Sequence, residues 1–170
     1  QSKGVPAVSS SVDAPRVAGS WSALAKGTNG AALALASKGN TMYVGGTFLL
    51  ANAVANTSRI ASWDGTNWSA LGSGLNGTVD ALAVDASGNL YAGGRFTQAG
   101  GDVNANYIAK WDGSNWSALG SGLNNQVNSM AVDGSDLYVG GMFTQADGTA
   151  NGNYVAKWNG TSWSALGTGL

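Results

Sequence analysis

Between residues 79 and 119 apolar and polar positions alternate in four short runs, separated by turn residues or by one polar loop. The run 79–85 (Val-Asp-Ala-Leu-Ala-Val-Asp) has the period of two that marks a half-buried strand, and Ser87-Gly88-Asn89 turns it. Residues 90–96 (Leu-Tyr-Ala-Gly-Gly-Arg-Phe) return as its hairpin partner, followed by a polar loop over 97–106. Residues 107–111 then predict a third strand, Asp112-Gly113-Ser114-Asn115 a tight turn, and 116–119 a fourth strand. The unit so defined is a four-stranded antiparallel meander.

That unit is copied along the chain. Trp-Ser-Ala-Leu begins at Trp21, Trp68, Trp116 and Trp163, at steps of 47, 48 and 47 residues. A second tryptophan precedes three of the copies (Trp63, Trp111, Trp158), and a glycine pair recurs in phase as Gly45-Gly46, Gly93-Gly94 and Gly140-Gly141. Periods of this size indicate propeller blades or solenoid coils. The fold class expected is all-β, with about three and a half propeller blades in an incomplete ring or as part of a larger assembly. Residues 1–14 are expected to be a leader or flexible arm, 15–29 a partial blade, and 30–75, 76–123 and 124–170 full blades.

A single meander cannot bury both of its faces, so the stacking of neighbours has to supply the core. Paired glycines inside a strand point to a position where a neighbour comes too close for a Cβ, here the lining between blades. The tryptophans flanking each turn are expected to pack in the core for at least one of each pair. Trp68, Trp116 and Trp163 are expected to be the more buried set, because the Ala-Leu after each continues an apolar face.

Composition narrows the chemistry. Charged residues are 10% of the 170, eight basic against nine acidic, and no basic stripe exists to neutralise phosphates, so nucleic acid is not an expected partner. The chain has no histidine and no cysteine, which removes the usual general base, the thiol nucleophile and the commonest zinc and copper ligands. The carboxylates show no Asp-x-Asp-x-Asp-Gly calcium loop; Asp133-Gly-Ser-Asp136 is more simply a hairpin turn. Gly93-Gly94 and Gly100-Gly101 lack the lysine and helix of a phosphate loop. No enzyme activity, cofactor or metal is expected, and no run of about 18 apolar residues predicts a membrane span. The Gly-, Ala-, Ser-, Asn- and Thr-rich composition and a first residue, Gln1, that is not methionine fit a secreted chain whose signal peptide has been removed.

The sequence Ile-Ala-Lys-Trp111-Asp-Gly-Ser-Asn-Trp116-Ser-Ala-Leu-Gly-Ser-Gly-Leu, together with the Ala-Val-Asp and Leu-Tyr-Ala-Gly-Gly-Arg-Phe strands, resembles bacterial extracellular β-propellers with kelch-like or related repeats. The resemblance runs over about residues 15–170. It implies a binding, adhesion or scaffold module, with some relatives carrying enzymes. Fold alone transfers none of these functions.

The first copy departs from the pattern: residues 15–21 lack four turn residues, and Leu49-Leu50 replaces the Thr97-Gln98 and Thr144-Gln145 pairs. Closed propellers typically have about four to eight blades, so the blade over 127–166 is expected to present its open face to another blade, from the same chain or another copy. The leading expectation is a noncatalytic secreted module for protein binding, adhesion or scaffold assembly, with other surface proteins or glycans as further partners. The alternatives are a lectin and a fragment of a propeller enzyme. For a lectin the candidate ligand-binding residues are Trp63, Asp64 and Asn67, Trp111, Asp112 and Asn115, and Trp158 and Asn159, because rings stack on sugar faces while short polar groups bond hydroxyls.

Overall fold

The computed structural model describes residues 22–150 and 153–167, and no helix occurs among them. The expected leader over 1–14 and residues 15–21 of the partial blade lie outside the described residues. Three four-stranded antiparallel sheets follow one another along the chain. Blade 1 contains β1 (Ala32–Lys38), β2 (Thr41–Gly46), β3 (Ile60–Trp63) and β4 (Trp68–Ser69), and blade 2 contains β5 (Val79–Val84), β6 (Leu90–Gly94), β7 (Ile108–Trp111) and β8 (Trp116–Ala118). Blade 3 contains β9 (Val127–Asp133), β10 (Asp136–Gly141), β13 (Val155–Trp158) and β14 (Trp163–Ala165), with a two-stranded hairpin of β11 (Gln145–Ala146) and β12 (Thr149–Ala150) in its long loop. Each sheet is an up-and-down meander, as the repeat predicts. The small hairpin is an addition that the polar loop sequence did not signal.

The blades stack in chain order. β1 and β2 pack on β5, and β5 and β6 pack on β9. Each β2-type strand leads to a fully buried phenylalanine, Phe48, Phe96 or Phe143. Burying a ring of that size stabilises by about 2–3 kcal/mol, so these positions help hold each blade together. The outer strands are linked as well: the indole Nε1 of Trp68 donates to Leu24 O at 3.0 Å, that of Trp116 to Leu71 O at 2.9 Å, and that of Trp163 to Leu119 O at 2.9 Å. Every acceptor is the leucine of the preceding Trp-Ser-Ala-Leu. Leu24, from the partial first copy, therefore stands on blade 1 as Leu71 stands on blade 2.

The glycine pairs divide their work. In all three blades the inner hairpin carries a one-residue bulge opposite the pair, at Leu33, Asp80 and Asn128. The second glycine belongs to that bulge: a Cβ on Gly46, Gly94 or Gly141 would overlap the carbonyl oxygen of Ala31, Thr78 or Gln126. The first glycine belongs to the next blade. A Cβ on Gly45 would come within 2.9 Å of Val79 Cβ, and one on Gly93 within 2.5 Å of Val127 Cγ1 and 3.1 Å of Met130 Sδ. A residue before each third strand adds a second constraint, because Arg59, Tyr107 and Tyr154 all have φ between 62° and 67°. Each donates its N–H to the phenylalanine carbonyl (Phe48, Phe96, Phe143) and accepts from the second glycine, which fixes the return of the long loop. The third strand of blade 2 consequently begins at Ile108, not at Tyr107.

Candidate functional site

The β3–β4, β7–β8 and β13–β14 turns carry the polar candidates on one rim. In each, the first residue caps its own turn: Asp64 Oδ1 accepts from the N–H groups of Thr66 and Asn67 at 2.8 and 2.7 Å, Asp112 Oδ1 from Ser114 and Asn115 at 2.8 and 2.7 Å, and Asn159 Oδ1 from Thr161 and Ser162, both at 2.9 Å. These bonds to the backbone of Asn67 and Thr66 hold the Asp64 carboxyl below its ordinary pKa, and those of Asn115 and Ser114 do the same for Asp112. The side chains of Asn67 and Asn115 are exposed beside them.

The tryptophans at these turns form tilted pairs. Trp63–Trp68, Trp111–Trp116 and Trp158–Trp163 have ring centroids 5.4, 5.4 and 5.3 Å apart. The expected order of burial holds only in blade 1, where Trp68 is buried and Trp63 half-buried. Trp116 and Trp111 are equally buried, at 8% and 9% exposed, and in blade 3 Trp158 is buried at 8% while Trp163 is half-buried. What covers each ring explains the difference. Leu71-Gly72 of blade 1 lies against both Trp111 and Trp116, and Gly100 presses its backbone on Trp116. Blade 3 has Asp147 at the Gly100 position, and its carboxylate turns instead to the N–H of Ser121, at 2.8 Å. Two of the three rings offered as stacking platforms, Trp111 and Trp158, are thus packed inside, and Trp63 is the one left half-open.

Acid should weaken these turns. Because the folded pKa values of Asp64 and Asp112 are depressed, their contribution is present above the unfolded aspartate pKa and is lost as pH falls through the folded values. Urea unfolding is expected to show lower stability at pH 3 than at pH 7. Asp112→Asn, which copies Asn159 of blade 3, should reduce that pH dependence while leaving the neutral-pH midpoint almost unchanged. An unaltered pH dependence in Asp112→Asn would show that its turn bonds do not favour the ionised form.

Two larger features lie at the ends of the stack. On the front of blade 1 a hollow of about 430 Å³ is lined by Leu24, Ala32, Leu35, Met42, Val44 and Trp68 among others. Its counterparts in blade 2, Val79, Leu90, Ala92 and Trp116, are buried under blade 1. On the back of blade 3 a second hollow of about 270 Å³ is lined by Ser129, Met130, Ala131, Tyr138, Val139, Gly140 and Val155. The rim candidates do not reach either hollow. Aligning Leu35 with Leu82 and Met130 is the signal that locates the first, since an apolar residue at an interblade position implies a cover. Among the described residues, no three His, Cys, Asp or Glu side chains gather to hold a metal, and no helix is long and apolar enough to cross a membrane.

Three phased meanders stacked face to face, with bulges and indole links repeated at each step, define a β-propeller. The chain belongs to the Rax2 C-terminal beta propeller domain family, whose model matches residues 22–170. None of the curated proteins matches it.

Proposed function

We propose that this chain is a noncatalytic, secreted module with kelch-like blades that binds other proteins, in adhesion or in the building of a surface scaffold. The observation that carries this reading is the apolar hollow on the front of blade 1, where Leu35 is 62% exposed at a position whose counterparts pack between blades. Exposed apolar patches of this kind mark interaction surfaces. The residues that recur in phase support it from the other side, because Trp, Gly, Phe and turn Asp or Asn are all engaged in packing or capping. A peptide-display selection against the purified chain, followed by amide exchange, tests the reading. Bound peptides should protect β1 and β2, or β10 and β13. Protection confined to the turns over 64–67 and 112–115 would contradict it, and binding of glycans there through Trp63 would favour a lectin instead. In its native cell the chain is expected in the extracellular fraction, and recovery from the cytosol alone would contradict secretion.

A further inference from the structure

The two hollows correspond in position to the two sides of an interface that is assembled twice within the chain. At the first junction Gly45 of blade 1 receives Val79 and Leu82 of blade 2; at the second, Gly93 of blade 2 receives Val127 and Met130 of blade 3. The pairings of the inner hairpins fix the correspondence. Ala32, Val79 and Val127 all face the second glycine of their own hairpin, while Leu35, Leu82 and Met130 face Val44, Ala92 and Val139.

At the back of blade 3 the first glycine, Gly140, has no such cover among the described residues. Among the described residues a Cβ built there meets Ser129 Oγ at 2.8 Å and Tyr154 O at 3.9 Å, both from its own blade. At the front of blade 1, Leu35 lines the hollow and is 62% exposed. The residues that cover a front face are also present on blade 3. Ala36, Tyr43 and Ile60 of blade 1 pack against the core shared with blade 2, and Ala131, Tyr138 and Val155 hold the same places in blade 3.

From this complementarity, and resting on the reading of the end faces as binding surfaces, we infer that a second copy of this chain adds head to tail: Ala32 and Leu35 of one copy seat over Gly140 of the other. The outer strand β14 of the second copy then reaches the place that Leu24 holds. Trp68 Nε1 exchanges Leu24 O for Leu166 O of the second copy, a like-for-like replacement, since both are the leucine of a Trp-Ser-Ala-Leu. The contact joins unlike surfaces, the head-to-tail kind that builds rings or filaments.

The test uses two single variants and their mixture, read by sedimentation equilibrium over a range of concentrations. Leu35→Glu charges the front of blade 1 at an exposed position and leaves the back of blade 3 intact. Gly140→Val fills the back of blade 3, where among the described residues the rotatable Ser129 hydroxyl is what a Cβ crowds, and leaves the front of blade 1 intact. The wild-type mass is expected to rise with concentration above the 17.0 kDa of one chain. Each variant alone should associate about tenfold or more weakly, as charged or overfilled contacts do. Their equimolar mixture should recover a dimer and stop there, because only one competent front and one competent back remain. A wild type that stays monomeric at every concentration overturns the inference, as does a mixture no more associated than its components. Unaltered self-association of either variant also overturns it, by showing that the contact lies elsewhere. If the mixture fails while display-selected peptides still protect β1 and β2, the second copy is the wrong occupant and the binding-module reading survives.

Discussion

Replacing Trp116 with alanine is expected to cost about 3–5 kcal/mol, the range for deleting a buried aromatic ring. The ring is 8% exposed, lies 5.4 Å from Trp111, and is wedged between Gly72 of blade 1 and Gly100 of its own blade. Its indole N–H also holds Leu71 O at 2.9 Å, so the substitution opens a cavity and leaves that carbonyl without this donor. The damage falls on two blades, because Leu71 belongs to the outer segment of blade 1. Denaturant unfolding measures the loss. A change under about 1 kcal/mol, the scale of surface substitutions, would show that the outer link between blades carries little of the stability.

Gly94→Ala should be at least as severe. The added methyl would overlap the carbonyl oxygen of Thr78, a backbone atom that no rotamer change can move. That oxygen accepts the N–H of Arg95 at 2.8 Å, and the bulge at Asp80 depends on the same close approach. Relief requires shifting β5 against β6, which also moves Val79 off Gly45. A loss of about 4 kcal/mol or more is expected, in the range reserved for broken backbone geometry or core packing. Thermal and urea unfolding of the variant check it, and a wild-type midpoint would contradict the assignment of this glycine to the bulge.

The meander was legible because its signals are local: alternation over 79–84, turn residues at Asp64-Gly65, Asp112-Gly113 and Asn159-Gly160, and tryptophans in fixed phase. The glycine pairs were legible only in part. Close approach was implied for both residues, but the bulge that sends the second glycine toward its own chain inserts one residue into an otherwise regular alternation, and Val-Asp-Ala-Leu carries no mark of it. The order of tryptophan burial was out of reach for a different reason. Strand pattern decides which side a ring takes, whereas burial depends on what the neighbouring blade or loop places over it, and Gly100 in one blade becomes Asp147 in the next. The same nonlocality hid the candidate surface. Leu35 reads as an ordinary strand residue until its counterparts Leu82 and Met130 are seen covering Gly45 and Gly93.

One comparison tests the central claim, that each first glycine is a seat for the next blade and that, among the described residues, nothing from another blade fills the seat at Gly140. Gly93→Ala and Gly140→Ala make the same change at the same repeat position, and both are measured by urea unfolding at a protein concentration low enough to keep the chain monomeric. Gly93→Ala drives a methyl into Val127 and Met130 and is expected to cost about 2–3 kcal/mol as overpacking. Among the described residues Gly140→Ala crowds a serine hydroxyl, which can rotate, and touches Tyr154 O at an ordinary 3.9 Å, so it should stay within about 0.5 kcal/mol of the wild type. Equal losses at the two positions would contradict the claim, because they would mean that these glycines serve their own blades and not the faces between them.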